Sequence, residues 1–550
     1  YRIAQSLFNN TNYEWRRYVR HVLPKLIPAA DLEEMKDDGM PERVCARAKT
    51  GVLKLASAHL NYITPRGQNW FKYDEWNEIT DDEKFWLKGA AQITQKELEA
   101  SNFYTSFIAT VIDRIGTGTG LMMSEENIKK GSLVFTHVPA GTYGLAENED
   151  HEIDTVVRKF KYTAHQAASA FGEDALRGAI KDAFGDKTRK YTQQFEIWHL
   201  VLPRDVPPLG NRNLPPEQMS WASVYLDPTE QHIIKESGYY EFPYMGTRFI
   251  KYGNDVCGES ALAPIVDTIE DSLMMQEAMK VAGQAAAFPR VLLTEDMVDE
   301  VDLRAGGMTT LRPEQINSGL PREWATATEY TVGKDLLEMY NAEIDDALFV
   351  SVLQAVSQVE RQMTALEANL RDNERMMTFT QSFTQFTSDI RPMMERVFCS
   401  LERLGKFPDD GKPQSLFVPL DEYGIKIKIL APGVKYISKM AKALERYKLS
   451  GLVETLGHAV NLAKSTGNPA WMDPFDENKS IRYIADETNV PVECMRKPKE
   501  LKALQKKRED DADAMQKAKI AQMMASANRD NAGAASQETV SYTHLRAHET

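Results

Sequence analysis

"SNFYTSFIATVIDRIGTGTGLMM", residues 101–123, decides how this chain is divided. Phe103, Phe107, Ile108, Val111, Ile112 and Ile115 recur at helical spacing, so the segment opens as a helix with Asn102 as its N-cap. Glycines then crowd positions 116, 118 and 120. A phosphate-cradling loop places such glycines after a strand and before a helix N-terminus. Here the order is reversed, and no Gly-Lys-Ser/Thr follows. The pattern predicts a helix that ends at Gly116 in the left-handed C-terminal cap position, then an entry into β-structure through "TGLMMSEENIKKGSLVFTHV". The glycines therefore speak for a turn and leave function to the rest of the chain.

At 550 residues the chain exceeds one core, and roughly two to four domains are expected. Its composition, 42% hydrophobic and 27% charged, is that of an ordinary folded protein. No apolar run is long enough to span a membrane, and no signal peptide opens the sequence. The chain starts at Tyr1 without methionine, and its natural N-terminus is expected to lie upstream. Cys45, Cys257, Cys399 and Cys494 are scattered, with no CxxC or Cys/His cluster, which points to a reducing compartment and no structural zinc. A net charge of −14 makes a poor non-specific DNA clamp, since phosphate affinity comes from Lys and Arg releasing counterions. Two readings remain: a soluble cytosolic protein, or one that touches DNA without gripping it.

Outward from the glycines, "TDDEKFWLKGAAQITQKELEA" opens with Thr80 and Glu83 at capping-box spacing and predicts a helix. Residues 131–203 read as strands ("SLVFTHV", "DTVVRKFKY", "QFEIWHLVLP"), interrupted by a helix over about 164–184. From 259 the texture changes. Leu262, Ile265, Val266, Ile269 and Leu273 form one apolar stripe, with Asp267, Glu270, Asp271 and Glu277 off it, and the helix should stop before Pro289. A short module of strands and turns spans about 289–333. Between Gly333 and Gly405 there is no glycine and only Pro392. Leu337, Tyr340, Ile344, Leu348 and Val352 continue as a helical stripe, with Val359 and Met363 beyond; so long a run is either broken by an irregular loop or used as a strut. "IKIKIL", 425–430, alternates as a strand, and residues after 438 read as helices around a loop at "STGNPAWMDPFDENKS". The segment "KPKELKALQKKREDDADAMQKAKIAQMMASA" is polar nearly all round, with a thin stripe of Leu501, Leu504, Met515 and Met523. Such a helix is stable only against partner copies, or it frays. "VSYTHLRAHET", 540–550, looks like a translated sequencing adapter and is set aside.

The chain lacks HExxH, GxSxG and Walker A patterns, and no catalytic residue, metal ligand or cofactor is assigned. "DPFDEN", 473–478, spaces its carboxylates loosely like a calcium loop, but without the glycine and distal glutamate; a helix N-cap is the better reading. The basic cluster Arg496, Lys497, Lys499, Lys502, Lys506, Lys507 and Arg508 has no interleaved aromatics and reads first as a solvated helix face, second as a nucleic-acid contact.

Several stretches resemble one family, the head-to-tail connector, or portal, proteins of short-tailed, podovirus-type phages. "RAKTGVLKLASAHLNYITPRGQNWFKY" looks like its N-terminal helix and "TP-G-x-x-WF" turn. The helix, glycine turn and strand of 101–123 are similar to its own. "FPYMGTRFIKYGNDVCGESALAPIVDTI" resembles the lead into its stem helix, although Cys257-Gly258-Glu259-Ser260-Ala261 stands where the family more often has Tyr-Gly-Arg/Glu-Ser/Gly-Pro. "VERQMTALEANLRDNERM" looks like its "ER-x-TA-x-E-x-x-R" helix, and "IRYIADETNVPVECMRKPKELKALQKKRE" resembles its C-terminal segment. The matches run in family order from about 43 to 510.

The resemblance implies an α+β, mainly helical subunit that assembles into a ring, usually of twelve. It implies a wing over 1–258, a first stem helix over 259–288, an α/β clip over 289–334 and a second stem helix over 335–352. A tunnel loop, long wing helix and strand would fill 353–440, and a helical crown 441–530. An irregular tunnel loop, about 351–362, would present Ser351, Gln354, Ser357, Gln358 and Arg361 to DNA in the channel, a mainly uncharged set suited to passage; the same composition suits a surface turn. The clip arginines Arg304, Arg312 and Arg322 would meet DNA or partner proteins. Implied partners are the terminase large subunit, tail adaptor proteins, major capsid and scaffolding proteins, and double-stranded DNA passing non-specifically, with no membrane. The implied place is the capsid vertex of the virion, reached through the host cytoplasm. The subunit would have no enzymatic activity, the ATP chemistry lying with the terminase. Rival readings are a coat or scaffolding protein, or a DNA-processing enzyme without a recognised motif.

Overall fold

The computed structural model describes all residues except 10–13, 28–42, 75–79, 205–213, 254, 288–289, 293–321, 325–329, 351–379, 420–426, 438, 488–495, 497 and 547–550. The chain begins with α1 (Arg2–Asn9), α2 (Trp15–Arg20) and α3 (Ala46–Ile63), then strand β1 (Phe71–Asp74), α4 (Asp81–Ala100) and α5 (Phe103–Thr117). Strands β2 (Thr119–Asn127), β3 (Ser132–Val138), β4 (Tyr143–Glu147) and β5 (Ile153–Thr163) follow. Short helices α6 (Ala164–Phe171), α7 (Gly178–Gly185) and α8 (Arg189–Thr192) precede β6 (Gln194–Pro203), β7 (Trp221–Asp227), β8 (His232–Tyr239) and β9 (Tyr244–Arg248). Next come α9 (Val266–Ala287), β10 (Arg290–Leu292), β11 (Arg322–Trp324), α10 (Tyr330–Ala347) and α11 (Thr380–Arg403). The remainder is β12 (Phe417–Pro419), β13 (Ile427–Ile429), β14 (Gly433–Tyr436), α12 (Lys439–Thr466), α13 (Glu477–Glu487) and α14 (Pro498–Arg546). The architecture is α+β and rich in helix.

Two antiparallel sheets carry most of the strand residues. One has the order β3-β2-β9, the other β4-β5-β6-β7-β8. β2 is buried on both faces because its alternation serves two neighbours. Leu121 and Met123 point to the five-stranded sheet, against Val156 and Val201. Met122 points the other way, into the helical core with Phe103, Phe107 and Phe386. The five-stranded sheet uses its own alternation likewise. Ile197 packs under α6 and α7, whereas Val157, Trp198 and Leu200 pack under α1 through Ala4 and Phe8. Strands far apart in sequence close the helical core: β1 pairs with β14, placing Phe71 opposite Tyr436.

The Thr80–Glu83 capping box forms as the sequence predicts, with both reciprocal bonds present. The other two readings of helix ends near the opening stretch need correction. Asn102 does not cap α5 with its side chain; its amide brackets the Phe135 backbone of β3 instead, donating to Phe135 O at 2.6 Å and accepting from Phe135 N at 2.9 Å. Gly116 lies inside the helix, against Leu23, and the left-handed residue is Gly118, with φ 86°. The helix predicted over 164–184 is two, α6 and α7, parted at Gly172, whose φ of 92° no helix allows. Helix α10 starts at Tyr330 and stops at Ala347, earlier at both ends than the 335–352 expectation; Phe349 takes a φ of 54°. The Asp476 carboxylate in "DPFDEN" accepts from Lys479 N at 3.0 Å, so that loop caps α13, as read.

Candidate functional site

The carbonyls at the end of α5 have no helical partners of their own. They are taken by the segment that leads into α9. Ser260 Oγ donates to the carbonyls of Ile115 and Gly116, at 2.9 and 2.7 Å, and Ala261 N donates to Ile115 O at 3.1 Å. Gly118 O accepts from Phe249 N at 2.8 Å, and Gly258 N donates to Thr119 Oγ1. The glycine turn and the 258–261 segment thus form one seat, and α9 rises from it.

From that seat α9 and α10 form an antiparallel helical hairpin that carries β10 and β11 between its far ends; Arg290 lies opposite Trp324. Leu262, Ile265, Val266, Ile269 and Leu273, the whole predicted stripe, are buried at its root together with Ile344 and Leu348. Gly51 of α3 admits Leu348 closely, since a Cβ there would lie 2.6 Å from Leu348 Cδ1. Three arginines from the first fifty residues grip the root. Arg17 donates from Nε and Nη2 to the two carboxylate oxygens of Glu270, at 3.2 and 2.9 Å, and also reaches Asp267. Arg43 pairs with Glu277, and Arg47 Nε donates to Asp345 at 2.9 Å. Glu270, read from the sequence as part of the polar face, is buried under Arg17. No spacing rule links Arg17, Arg43 or Arg47 to carboxylates so far along the chain, so these pairs have no signal in the sequence.

Beyond Leu273 burial ends. Met274, Ala278 and Val281 recur at i, i+4 and i+7 on α9, with Met274 49% and Val281 54% exposed. On α10, Met339 is 55% exposed. Helix α9 therefore leaves the body with an exposed apolar stripe, the form of a surface that packs against another chain, while the exposed face of α10 is mainly charged around Met339.

The sequence-predicted contacts fall as follows. Ser351, Gln354, Ser357, Gln358 and Arg361 lie outside the described residues, as do Arg304 and Arg312. Arg322 opens β11, opposite Leu292. Cys494 is also outside them; Cys45 and Cys399 are buried thiols, and Cys257 is a half-buried one. Among the described residues no three His, Cys, Asp or Glu side chains gather to hold a metal ion. No described helix is long and apolar enough to cross a membrane. A cleft of about 790 Å³ lies between the five-stranded sheet's rim and α11. Its charged walls are largely paired: Arg396 donates to Glu241 O, and Asp389 accepts from Thr247, Arg248 N and Gln385.

A buried histidine lies behind the seat. His59 on α3 is fully buried; its Nδ1–H donates to Leu55 O at 2.9 Å, so Nε2 accepts from Arg114 Nη1 at 3.2 Å. Arg114 also donates to Arg248 O and lies over the rings of Phe249 and Phe386. Burial, and then the Arg114 charge, push His59 down to about 3. The unfolded chain protonates this histidine near its ordinary value while the folded chain does not. Stability is thus complete above about pH 6.5 and is lost as pH falls toward about 3, at up to about 1.4 kcal/mol per pH unit. Urea unfolding between pH 7 and pH 5 should show this slope added to that of His199, which burial and Arg158 also hold well below its ordinary value, and His59→Gln should remove the His59 share.

A family model described as "Bacteriophage head to tail connecting protein" matches residues 1–495. The chain belongs to this family, the head-to-tail connectors, or portal proteins, of bacteriophages. It is 23% identical over 477 residues to the portal protein of Salmonella phage epsilon15, covering 84% of this chain and 81% of that one. It is 22% identical over 535 residues to a protein of Bordetella phage BPP-1 named "Probable portal protein", covering 92% and 90%.

Proposed function

We propose that roughly twelve copies of this chain close into a ring that forms the DNA channel at one capsid vertex. The ring docks the terminase large subunit while the genome enters, then tail adaptor proteins, and passes the genome out at ejection. It seats against major capsid and scaffolding proteins. The α9–α10 hairpin is the stem, β10–β11 belong to the clip at its far end, the two sheets and α11 to the wing, and α12–α14 to the crown. Ser351, Gln354, Ser357, Gln358 and Arg361 belong to the tunnel loop; Arg304, Arg312 and Arg322 belong to the clip. The subunit is structural, and turnover of ATP belongs to the terminase. The observation that carries this reading is the hairpin, rooted in the body and bearing an exposed apolar stripe along α9.

Electron microscopy of the purified chain, with mass by light scattering, tests it. Annular particles with a hole wide enough for duplex DNA and a mass near a dozen subunits are expected. A monomer with repeatable Mg²⁺-dependent nuclease or ATPase turnover would overturn it. The stem reading makes a sharper prediction. Met274→Asp with Val281→Asp puts two carboxylates into the apolar seam, and subunit association should weaken by at least about 100-fold, because each buried unpaired charge costs several kcal/mol. Thermal unfolding of the monomer should not change, since both positions are exposed in it.

A further inference from the structure

Helix α14 lies wholly beyond the family match, which stops at residue 495. Up to Thr539, before the stretch set aside above, it spans about 63 Å at 1.5 Å per residue. Every described side chain from Lys506 to Arg529 is exposed, including Met515 at 77%, Met523 at 69% and Met524 at 65%. A helix gains most of its stability from packing, and this one packs on nothing over that length.

Its charges are sorted into blocks. Lys506, Lys507 and Arg508 are followed, after Glu509, by Asp510, Asp511 and Asp513. Among the described residues none of these six forms an ion pair, although Lys506–Asp510 and Lys507–Asp511 have i,i+4 spacing. The lysine precedes the acid in each, the weaker order for such a pair. We propose that the partner of α14 is the α14 of a neighbouring copy, lying parallel and shifted so that the basic block of one meets the acidic block of the next. In register, like blocks would face each other and repel. A shift of about five residues, or about 7 Å, brings opposite blocks together. Each helix then uses its basic block toward one neighbour and its acidic block toward the other, a head-to-tail contact that closes in a ring. All copies in a ring sit at one height, so the shift is met by leaning the helices. Nucleic acid is the poorer occupant, because the three aspartates stand beside the basic block and repel phosphate.

The proposal rests on the ring reading, and its test separates the two. An equal mixture of isotopically light and heavy full-length chains is assembled, treated with a zero-length carbodiimide and analysed by mass spectrometry. Light-to-heavy links should join Lys506 or Lys507 to Asp510, Asp511 or Asp513. Reversing one block (Lys506→Glu, Lys507→Glu, Arg508→Glu) removes the reactive amines as well as the charge, so it is read as assembly: the concentration at which chains associate should rise about tenfold, as three exposed pairs of ordinary strength would require. Adding Asp510→Lys, Asp511→Lys and Asp513→Lys should restore association and bring back light-to-heavy links between the two blocks, with amine and carboxylate exchanged. Intact rings without such links overturn the proposal and leave the ring standing. Chains that never form rings remove the ring first and this register with it. Salt-sensitive DNA binding that the single reversal abolishes and the double exchange does not restore would overturn it in favour of nucleic acid.

Discussion

Replacing Gly118 with valine should leave almost no folded chain. A Cβ at this position would lie 2.0 Å from the carbonyl oxygen of Gly258 and 2.7 Å from backbone atoms on either side of that peptide. The obstacle is backbone, pinned by Gly258 N on Thr119 Oγ1 and Glu259 N on Ile250 O, so no side chain can turn aside to relieve it. The φ of 86° adds strain for a β-branched residue. Together these should cost about 4 kcal/mol or more, a large share of the stability of an ordinary domain. Gly67 gives the control. Its φ is 79° but a Cβ there meets nothing within 4 Å, so Gly67→Ala should cost only about 1 kcal/mol. Soluble yield and urea midpoints of the two variants measure the difference. Equal effects would mean that the close approach to Gly258 is not what the turn depends on.

Arg403→Met should destabilise the chain by about 3 kcal/mol. This arginine, near the end of α11, is only 8% exposed and serves two carboxylates. It donates from Nη1 and Nη2 to the two oxygens of Glu241, at 2.7 and 2.8 Å, and from Nε to Glu126 at 3.0 Å. Ser400 adds a bond to Glu126 at 2.9 Å. Methionine keeps most of the volume but strands Glu126 without a counter-charge and leaves Glu241 only Arg396, 3.4 Å away; each carboxylate is about one-fifth exposed. Adding Glu126→Gln and Glu241→Gln should recover most of the loss, because neutral amides still accept from Ser400 and Arg396. A triple variant no more stable than Arg403→Met would show that packing, not charge, was lost.

The parts of the fold that were legible are those decided by neighbours in sequence. The alternating runs became β3, β5 and β6, the Thr80–Glu83 pair capped α4, and the stripe from Leu262 to Leu273 became the buried face of α9. What escaped was decided at long range. Gly116 and Gly118 are both near the end of one helix, and only the arrival of Gly258 selects the second as the left-handed residue. Asn102 had the identity of an N-cap, but β3 offered it a backbone to bind. Glu270 looked like surface until Arg17 covered it. For the site, the hairpin was legible as two helices flanking a β module, while its arginine grip was not. The tunnel-loop residues and two of the three clip arginines fall outside the described residues.

The pairing of β1 with β14 also sets a timetable. Trp70, Phe71 and Tyr73 leave the ribosome early, yet Phe71 meets Tyr436 only when most of the polypeptide has been made. Arg47 waits likewise for Asp345. Contacts of such high sequence separation form slowly and leave aromatic surface open meanwhile. The root of the hairpin therefore cannot close until Asp345 has been made, nor the β1–β14 seam until Tyr436 has. Until then the aromatic side chains of β1 stay open to solvent, which makes the growing chain a natural client of chaperones.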